Sequence, residues 1–144
     1  MKTSGLKELK YKDIKIGDEA SFDAVITEED VKSFMKISGD INPLHSDEKY
    51  ALSTKIGGKI VHGMLVSSLF STLVGTHLPG KYCLYLSQEL QFKNFVKPNT
   101  QLMIQGRVIN KMDALKLITI DTKISDKISN KIYVSGKARV QLLQ

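Results

Sequence analysis

The chain has 144 residues, of which 42% are apolar and 25% are charged, and these fractions are typical of one globular domain. No uninterrupted apolar run is long enough to cross a bilayer, so we expect no membrane partner. We predict a single domain over residues 1–144, with the polar, lysine-rich residues 1–12 as a loose N-terminal arm.

The net charge is +6, and all but two of the 21 basic residues are lysines spread along the whole chain. Proteins that read DNA sequence favour arginine for contacts with guanine, so we expect no nucleic-acid partner. The charge instead indicates a solvated surface with a general attraction for anionic ligands. The single cysteine, Cys83, cannot form an internal disulfide, and no apolar segment marks a secretory signal. The default expectation is therefore a reducing, cytoplasmic location.

The first part of the chain predicts one strand followed by two helical segments. Residues 18–27 alternate between apolar and polar side chains, as a half-buried strand does. A start like a capping box at Thr27 predicts a helix, and Gly39 is a natural end for it. A short helical turn over residues 46–51, capped by Ser46, is predicted next.

The segment from Gly63 to His77 predicts a long helix in the middle of the fold. Its apolar positions cover most of the helix surface, and they are Met64, Leu65, Val66, Leu69, Phe70, Leu73 and Val74. A helix that is apolar all round is a buried one. Gly75 and the Pro79-Gly80 pair predict its end.

After Gly80 the spacing of the apolar residues changes from helical to alternating. Four strands separated by polar turns are predicted, around residues 84–92, 102–108, 118–124 and 132–142. In the first of these, one face carries Leu84, Leu86, Leu90 and Phe92. Consecutive strands of this kind form an antiparallel meander with one solvated face. The sequence therefore predicts an α+β fold, in which a curved antiparallel sheet wraps around one long helix.

The segment with the most candidate catalytic side chains is Ser38-Gly39-Asp40-Ile41-Asn42-Pro43-Leu44-His45. Its glycine and proline bend the chain, so that Asp40, Asn42 and His45 share one tight loop. Asp40 alone fits an Asx turn, and His45 alone fits a hydrogen-bonded structural histidine. Together they form a pair in which the imidazole moves protons near neutral pH and the carboxylate holds a water molecule. We predict that this pair adds or removes water next to a carbonyl group.

A second segment, Gly57-Gly58-Lys59-Ile60-Val61-His62-Gly63, opens the long helix. The first N–H groups of a helix have no partner within it, and Gly63 has no side chain to keep a ligand away from them. We predict that the Gly63 N–H stabilises a carbonyl oxygen as negative charge develops there. His62 fits either a packing role at the helix start or a contact in the site. Ser71, two turns along, fits either close packing or a polar contact to the catalytic group.

A metal site is the alternative that these histidines raise. The order H-x-D…H, formed by His45, Asp47 and His62, also occurs in iron sites with two histidines and one carboxylate. Such sites need three ligands that converge from a strand-rich barrel, whereas His62 is predicted at a helix start and Asp47 on an exposed turn. We therefore expect no metal. The chain also lacks a glycine-rich phosphate loop and a G-x-S-x-G nucleophile elbow.

The run from Ser38 to Asp47, followed by Ala51 and by Val61-His62-Gly63-Met64, closely resembles the signature of MaoC-like, (R)-specific enoyl-CoA hydratases, also called hydratase 2. The resemblance extends over residues 12–142. It implies a hot dog fold and a homodimer whose two sheets join edge to edge.

The resemblance also implies roles for individual residues. Asp40 and His45 would form the catalytic dyad, and Gly63 would supply the N–H of the oxyanion hole. Ser71 would support the dyad, and Asn42 would order the loop.

The implied activity is the syn addition of water to a trans-2-enoyl-CoA, which gives an (R)-3-hydroxyacyl-CoA. No metal or redox cofactor is implied, because coenzyme A arrives as part of the substrate. Three alternatives stay open on the same fold: a dehydratase acting on acyl carrier protein thioesters, a thioesterase, and a non-catalytic module that binds acyl-CoA. The intact pair of Asp40 and His45 argues against the last of these.

Overall fold

The computed structural model describes residues 5–144. Its strands are β1 Glu19–Val25, β2 Cys83–Gln88, β3 Gln91–Phe92, β4 Gln101–Met112, β5 Leu117–Asp126 and β6 Ile132–Leu142. They form one antiparallel sheet in the order β1-β4-β5-β6-β2, with β3 paired to β6. The predicted meander is correct for the last three strands. It is wrong for β2, which lies at the opposite edge of the sheet from β1 and pairs with β6.

The helices are α1 Glu28–Ser38, α2 Pro43–Ser46, α3 Glu48–Ser53, α4 Gly63–Ser67 and α5 Leu69–Thr72, with short 3₁₀ turns at Tyr11–Asp13 and Asp113–Leu115. A π-helical turn over Leu73–His77 continues α5. We call α4, α5 and this turn together the central helix, and its position confirms the prediction. Within residues 5–144, none of the helices has the length and apolar character to cross a membrane.

α1 begins and ends as its sequence predicts. The Thr27 Oγ1 accepts from the Asp30 N–H at 3.1 Å, and the Asp30 carboxylate accepts from the Thr27 N–H at 2.9 Å, which completes the capping box. Gly39 ends α1 in the left-handed region at φ 77°, where residues with a side chain are strained. The chain therefore leaves the helix directly before Asp40.

A short helix is present close to the predicted turn, but the predicted capping residue, Ser46, is wrong. Asp47 caps α3 by accepting from the Tyr50 N–H at 3.0 Å, whereas Ser46 lies at the end of α2. Asn42 caps α2, and Pro43 occupies its first turn, where proline is favoured because its missing N–H needs no partner. Helical structure therefore begins at Pro43, three residues before the start predicted at Ser46.

The core lies between the central helix and the concave face of the sheet. Leu73 and Val74 of the central helix are completely buried, and so are the alternating residues Leu102, Ile104 and Val108 of β4. Burial of each such side chain contributes roughly 1.5–3 kcal/mol. The outer face is solvated, as predicted, and carries charged residues in adjacent register positions: Glu19, Arg107, Asp121 and Lys137.

The central helix is not buried all round, which corrects the prediction. Met64, Ser68 and Ser71 are exposed, and their spacing places them on one stripe of the helix surface. The apolar residues cover the remaining sides. One side of the helix therefore faces outward in the single chain.

β2 also differs from its predicted alternation. Leu84 and Leu86 are 47% and 49% exposed, while Cys83 and Tyr85 pack against the core. A register shift between Tyr85 and Ser87 interrupts the regular pairing with β6. β2 is an edge strand that pairs with β6 on one side only, and its two leucines lie on the face away from the core.

The predicted loose arm is wrong for residues 5–12. The Lys7 N–H donates to the Thr76 carbonyl at 2.9 Å, and the Tyr11 N–H donates to the Gln144 carbonyl at 2.8 Å. Glu8 forms a bridge with Gly80. This segment pairs its backbone with the end of the central helix and with the last residue. Residues 1–4 of the predicted arm lie outside the described residues.

Candidate active site

Asp40 lies on a loop that its own hydrogen bonds shape. Its Oδ1 accepts from the Asn42 N–H at 3.2 Å, in the Asx turn that the sequence also allowed, and its N–H donates to Ser38 Oγ at 3.1 Å. The Asn42 Oδ1 in turn accepts from the Leu44 N–H at 3.0 Å and so starts α2. The side chain of Asp40 is 52% exposed. One carboxylate oxygen therefore supports the loop, and the other, Oδ2, lies 3.9 Å from His62 Nε2 on this half-exposed side chain.

His45 follows on α2, and a backbone carbonyl fixes its tautomer. Its Nδ1 lies 2.7 Å from the Ile60 carbonyl oxygen. Because a carbonyl only accepts, we assign the hydrogen to Nδ1. The neutral ring then carries its lone pair on Nε2, which is the form that a general base needs.

The electrostatic surroundings keep the half-buried His45 ring in this neutral form. Burial lowers the pKa of the His45 imidazole most, and the neighbouring His62 lowers it further. The Ile60 carbonyl and the Asp40 carboxylate act in the opposite direction without reversing the shift. The ring is therefore ready to accept a proton at neutral pH.

His62 is buried beside both residues, at the N-cap of the central helix. Its ring stacks on that of His45 with centroids 3.7 Å apart, and its Nε2 lies 3.0 Å from the Asp40 carbonyl oxygen. Asp40, His45 and His62 each offer one ligand atom, and these three atoms lie within 4.8 Å of one another. The structure thus brings together three of the predicted site residues from two separate segments.

These same three residues are the group in residues 5–144 that could hold a metal ion. The H-x-D…H alternative, which the sequence did not favour, named Asp47 instead, and Asp47 caps α3 by accepting from the Tyr50 N–H. Of the three, His62 already uses Nε2 toward the Asp40 carbonyl.

Gly63 opens the central helix beside a cavity of about 400 Å³. The first hydrogen bond of the helix runs from the Val66 N–H to the His62 carbonyl at 3.0 Å, so the Gly63 N–H has no acceptor among the described residues. A Cβ on Gly63 would lie 2.8 Å from Phe92 Cε1. The glycine therefore lets the helix end and the aromatic ring meet closely.

This cavity joins the predicted base to the predicted oxyanion donor. Its lining includes His45, Ile60, Val61, Gly63, Met64, Val66, Phe92, Lys93, Asn94, Phe95, Val96 and Val134. The lining is mostly apolar, which suits an acyl group. A depression of about 700 Å³ also lies beside β1, but no histidine lines it, and we therefore place the chemistry at the smaller cavity.

Ser71 does not join this cluster. It is exposed, it does not line the cavity, and its hydroxyl makes no hydrogen bond to Asp40 or His45 in the described chain. The single chain therefore does not contain the polar contact that the sequence allowed, because Ser71 lies on the exposed stripe of the central helix. The buried serine is Ser67, whose Oγ donates to the Gly63 carbonyl at 2.8 Å.

Three contributors to the site were missed from the sequence: the Ile60 carbonyl, the Phe92 ring and the Ser67 hydroxyl. No local pattern marks Ile60 or Phe92, because each meets the site only through folding. Ser67 could have been found from the spacing, since it lies four residues after Gly63 and so on the same face of the helix, where its hydroxyl can reach the Gly63 carbonyl.

This geometry can place a water molecule between a carboxylate and an imidazole. Two hydrogen bonds of about 2.8 Å through one water span roughly 5 Å, and a carboxylate oxygen of Asp40 lies within 4.8 Å of a ring nitrogen of His45. The cavity that holds His45 also holds the end of the central helix with its free N–H. The arrangement can therefore activate water and stabilise an oxyanion at one bound molecule.

Comparison with known proteins places this chain in a family. Residues 13–130 match the family model described as the MaoC like domain. A 3-hydroxybutyryl-CoA dehydratase of Methylorubrum extorquens is 38% identical, over 95% of this chain and 86% of that protein. A mitochondrial 3-hydroxyacyl-[acyl-carrier-protein] dehydratase of Arabidopsis thaliana is 30% identical, over 87% of this chain and 75% of that protein.

An (R)-specific enoyl-CoA hydratase of Aeromonas caviae is 35% identical, over 90% of this chain and 96% of that protein. A solved structure of an (R)-hydratase from A. caviae superposes with a TM-score of 0.86, covering 90% of this chain and 97% of that one. The fold is thus the hot dog fold that the resemblance implied. This chain belongs to the MaoC-like domain family and is a hydro-lyase with hydratase or dehydratase activity.

Proposed function

We propose that this protein is an (R)-specific enoyl-CoA hydratase, which adds water reversibly to a trans-2-enoyl-CoA to give an (R)-3-hydroxyacyl-CoA. The observation that carries the proposal is the convergence of Asp40 and His45 within 4.8 Å, beside a cavity that also contains Gly63. The choice of coenzyme A and of the R product is supported by the names of the relatives from A. caviae and M. extorquens.

In this mechanism, Asp40 and His45 hold one water molecule between them. His45 Nε2 takes a proton from the water as its oxygen bonds to C3 of the substrate. The electrons of the C2=C3 bond move toward the thioester carbonyl and form an enolate. The same proton then passes from His45 to C2, so that one water molecule has been added in total. Acid–base catalysis of this kind contributes roughly a hundred- to ten-thousand-fold.

Gly63 stabilises the enolate. Its N–H has no acceptor within the described chain and lies at the positive end of the central helix dipole. The hydrogen bond from this N–H stabilises a thioester oxygen most strongly when that oxygen carries negative charge. Loss of such a donor typically costs on the order of a hundred- to a thousand-fold in rate.

Asn42 and His62 act on the pair, in our proposal, and not on the substrate. Asn42 caps α2 and thereby fixes the start of the turn that carries His45. His62 contacts both members of the pair. A role for Ser71 requires a surface beyond the single chain, because this residue is exposed here.

We also propose a homodimer. β2 is an edge strand with unpaired backbone groups along its outer side, and it exposes Leu84 and Leu86. Exposed apolar edge strands favour pairing with another strand, and a second copy of β2 would extend the sheet. The single domain over residues 1–144 and the cytoplasmic location stay predictions; Cys83 is in no disulfide within the described residues.

The second candidate is a dehydratase acting on 3-hydroxyacyl-[acyl carrier protein], the same chemistry in reverse on another carrier. The A. thaliana relative favours it, as does the net charge of +6, because carrier proteins are acidic partners for a basic surface.

A carrier comparison tests the proposal. The purified protein is given crotonyl-CoA and longer trans-2-enoyl-CoAs, and in parallel the same acyl groups on acyl carrier protein. We expect faster hydration of the coenzyme A thioesters, an R product and no release of free thiol. Faster turnover on the carrier protein would favour the second candidate, and release of free thiol would indicate a thioesterase.

A further inference from the structure

His62 has an unusual position, because it contacts both members of the proposed catalytic pair through different parts of one ring. Its side chain is only 2% exposed. The Nε2 edge reaches the Asp40 carbonyl oxygen at 3.0 Å, and the ring face stacks on His45 at a centroid distance of 3.7 Å and an interplanar angle of 27°. Phe34 closes the remaining side with an edge contact at 4.8 Å.

The Asp40 carbonyl sets the tautomer of His62, as the Ile60 carbonyl sets that of His45. A carbonyl only accepts, so Nε2 of His62 carries the hydrogen in the neutral ring. Its Nδ1 is then a buried acceptor, and it has no partner among the described residues. An unpaired buried nitrogen costs free energy, and a leucine or phenylalanine would avoid that cost. A packing role alone therefore does not explain an imidazole at this position.

We infer that His62 is a positioning residue, which holds Asp40 through its backbone and His45 through its ring face so that both meet the same water molecule. This inference rests on the proposed function, because it assigns His62 a task in the same site. It also explains why two segments distant in sequence converge: the N-cap of the central helix carries the ring that joins them. A displacement of about 1 Å in either catalytic group is enough to cost on the order of a hundredfold in rate.

Contact with His62 should also affect the titration of His45. The charged or titratable groups around His45 are Asp40 and His62, Lys32 and the Glu28–Lys59 ion pair across a small cavity, and Lys93 across the larger cavity beside Gly63. Of these, His62 lies in ring contact. Replacement of His62 by an uncharged side chain that packs less tightly removes a group that lowers the pKa of His45 and reduces the burial that lowers it most. The pKa of His45 should therefore rise in such a variant.

The test compares His62→Gln, which keeps an N–H donor at similar reach but loses the ring, with His62→Phe, which keeps a ring but loses the donor. The control is His77→Gln, because His77 is also a stacked histidine, on Phe22 at 4.9 Å, at the other end of the central helix. Each variant is assayed for kcat and KM on crotonyl-CoA. The Cε1 proton of His45 is titrated by NMR in each protein, and this second measurement needs no turnover.

We expect kcat to fall on the order of a hundredfold in His62→Gln and in His62→Phe, with KM within about threefold of the wild type and the pKa of His45 raised in His62→Gln. His77→Gln should match the wild type in kcat and in His45 titration. If folded His62→Gln has the kcat and the His45 titration of the wild type, the inference is overturned. If the wild type itself hydrates no enoyl thioester, the proposed function fails, and the His45 titration still decides whether His62 acts on that ring.

Discussion

The backbone of Gly63 packs directly against the ring of Phe92, so closely that a Cβ on Gly63 would lie 2.8 Å from Cε1 and 2.9 Å from Cδ1 of that ring. Gly63, whose N–H is the proposed oxyanion donor, therefore lines the cavity at a point where a methyl group fits only if the half-exposed Phe92 ring moves. This contact gives the glycine a steric reason as well as a chemical one.

Gly63→Ala keeps the backbone N–H but should lower kcat/KM for hydration by up to about a hundredfold, because the new methyl group displaces the Phe92 ring or the helix end beside that N–H. The double variant Gly63→Ala/Phe92→Ala makes room again and should recover at least about tenfold of this loss. Steady-state kinetics on crotonyl-CoA measure both effects.

Gly75→Ala is the matched control for that experiment. Gly75 lies on the same central helix, its φ is not positive, and a Cβ there meets nothing within 4 Å. We expect unchanged kinetics and equal or greater stability, since alanine is favoured over glycine in a helix by roughly 0.5–1 kcal/mol. A double variant no better than Gly63→Ala would contradict the steric account.

The pH dependence should report the neutral state of His45. Hydration needs the unprotonated ring, and the pKa of His45 is lowered from its ordinary value of 6.5. The kcat/KM for hydration should therefore stay high as pH falls to 6.5 and drop about tenfold per unit only below the lowered pKa. Asp40→Asn removes a group that raises this pKa, so its residual activity should decline at still lower pH. An acid limb centred above pH 6.5 in the wild type would contradict the assignment of His45 as the base.

The exposed edge strand β2 predicts that the protein is a dimer. Leu84→Glu and Leu86→Glu place a charge on the exposed edge strand β2 and should convert a dimer into a monomer. Sedimentation equilibrium measures this directly. Leu115→Glu serves as the control, because Leu115 is 54% exposed but lies on a 3₁₀ turn outside β2. A wild-type monomer, or charged variants that stay dimeric, would argue against pairing through β2.

Two serines of the central helix should differ in their effect on stability. Ser67 is buried and donates to the Gly63 carbonyl, whereas Ser71 is exposed with no side-chain hydrogen bond in the described chain. Ser67→Ala should lower the free energy of unfolding by about 1 kcal/mol, and Ser71→Ala should change it by less than about 0.5 kcal/mol. Urea unfolding measures both values. Equal losses would show that Ser71 is bonded in solution in a way that the single chain does not show.

Local patterns predicted much of the fold, because they act over a few residues. The capping box at Thr27, the left-handed Gly39 and the long helix from Gly63 each depend on neighbours in sequence, and the structure confirms them. The cap of α3 went wrong because Pro43 begins a separate turn and Asp47 competes with Ser46 for the next one.

Contacts between distant segments were beyond such patterns. The motif named Asp40 and His45, and the structure brings them together. The motif could not identify the Ile60 carbonyl that orients His45, because every residue type has a backbone carbonyl. Nor could it place β2 at the sheet edge or Ser71 on the exposed stripe, because alternation and helical spacing define faces of an element without saying which face is covered.

The central claim is that Asp40 and His45 act as one unit on a single water molecule. Its most direct test is the kcat of Asp40→Asn, His45→Gln and the double variant for hydration of crotonyl-CoA, with folding checked by circular dichroism. We predict that each single variant loses roughly a hundred- to ten-thousand-fold, and that the double variant loses little more than the worse of the two. A folded single variant with near-wild-type kcat, or losses that multiply in the double variant, would contradict the account.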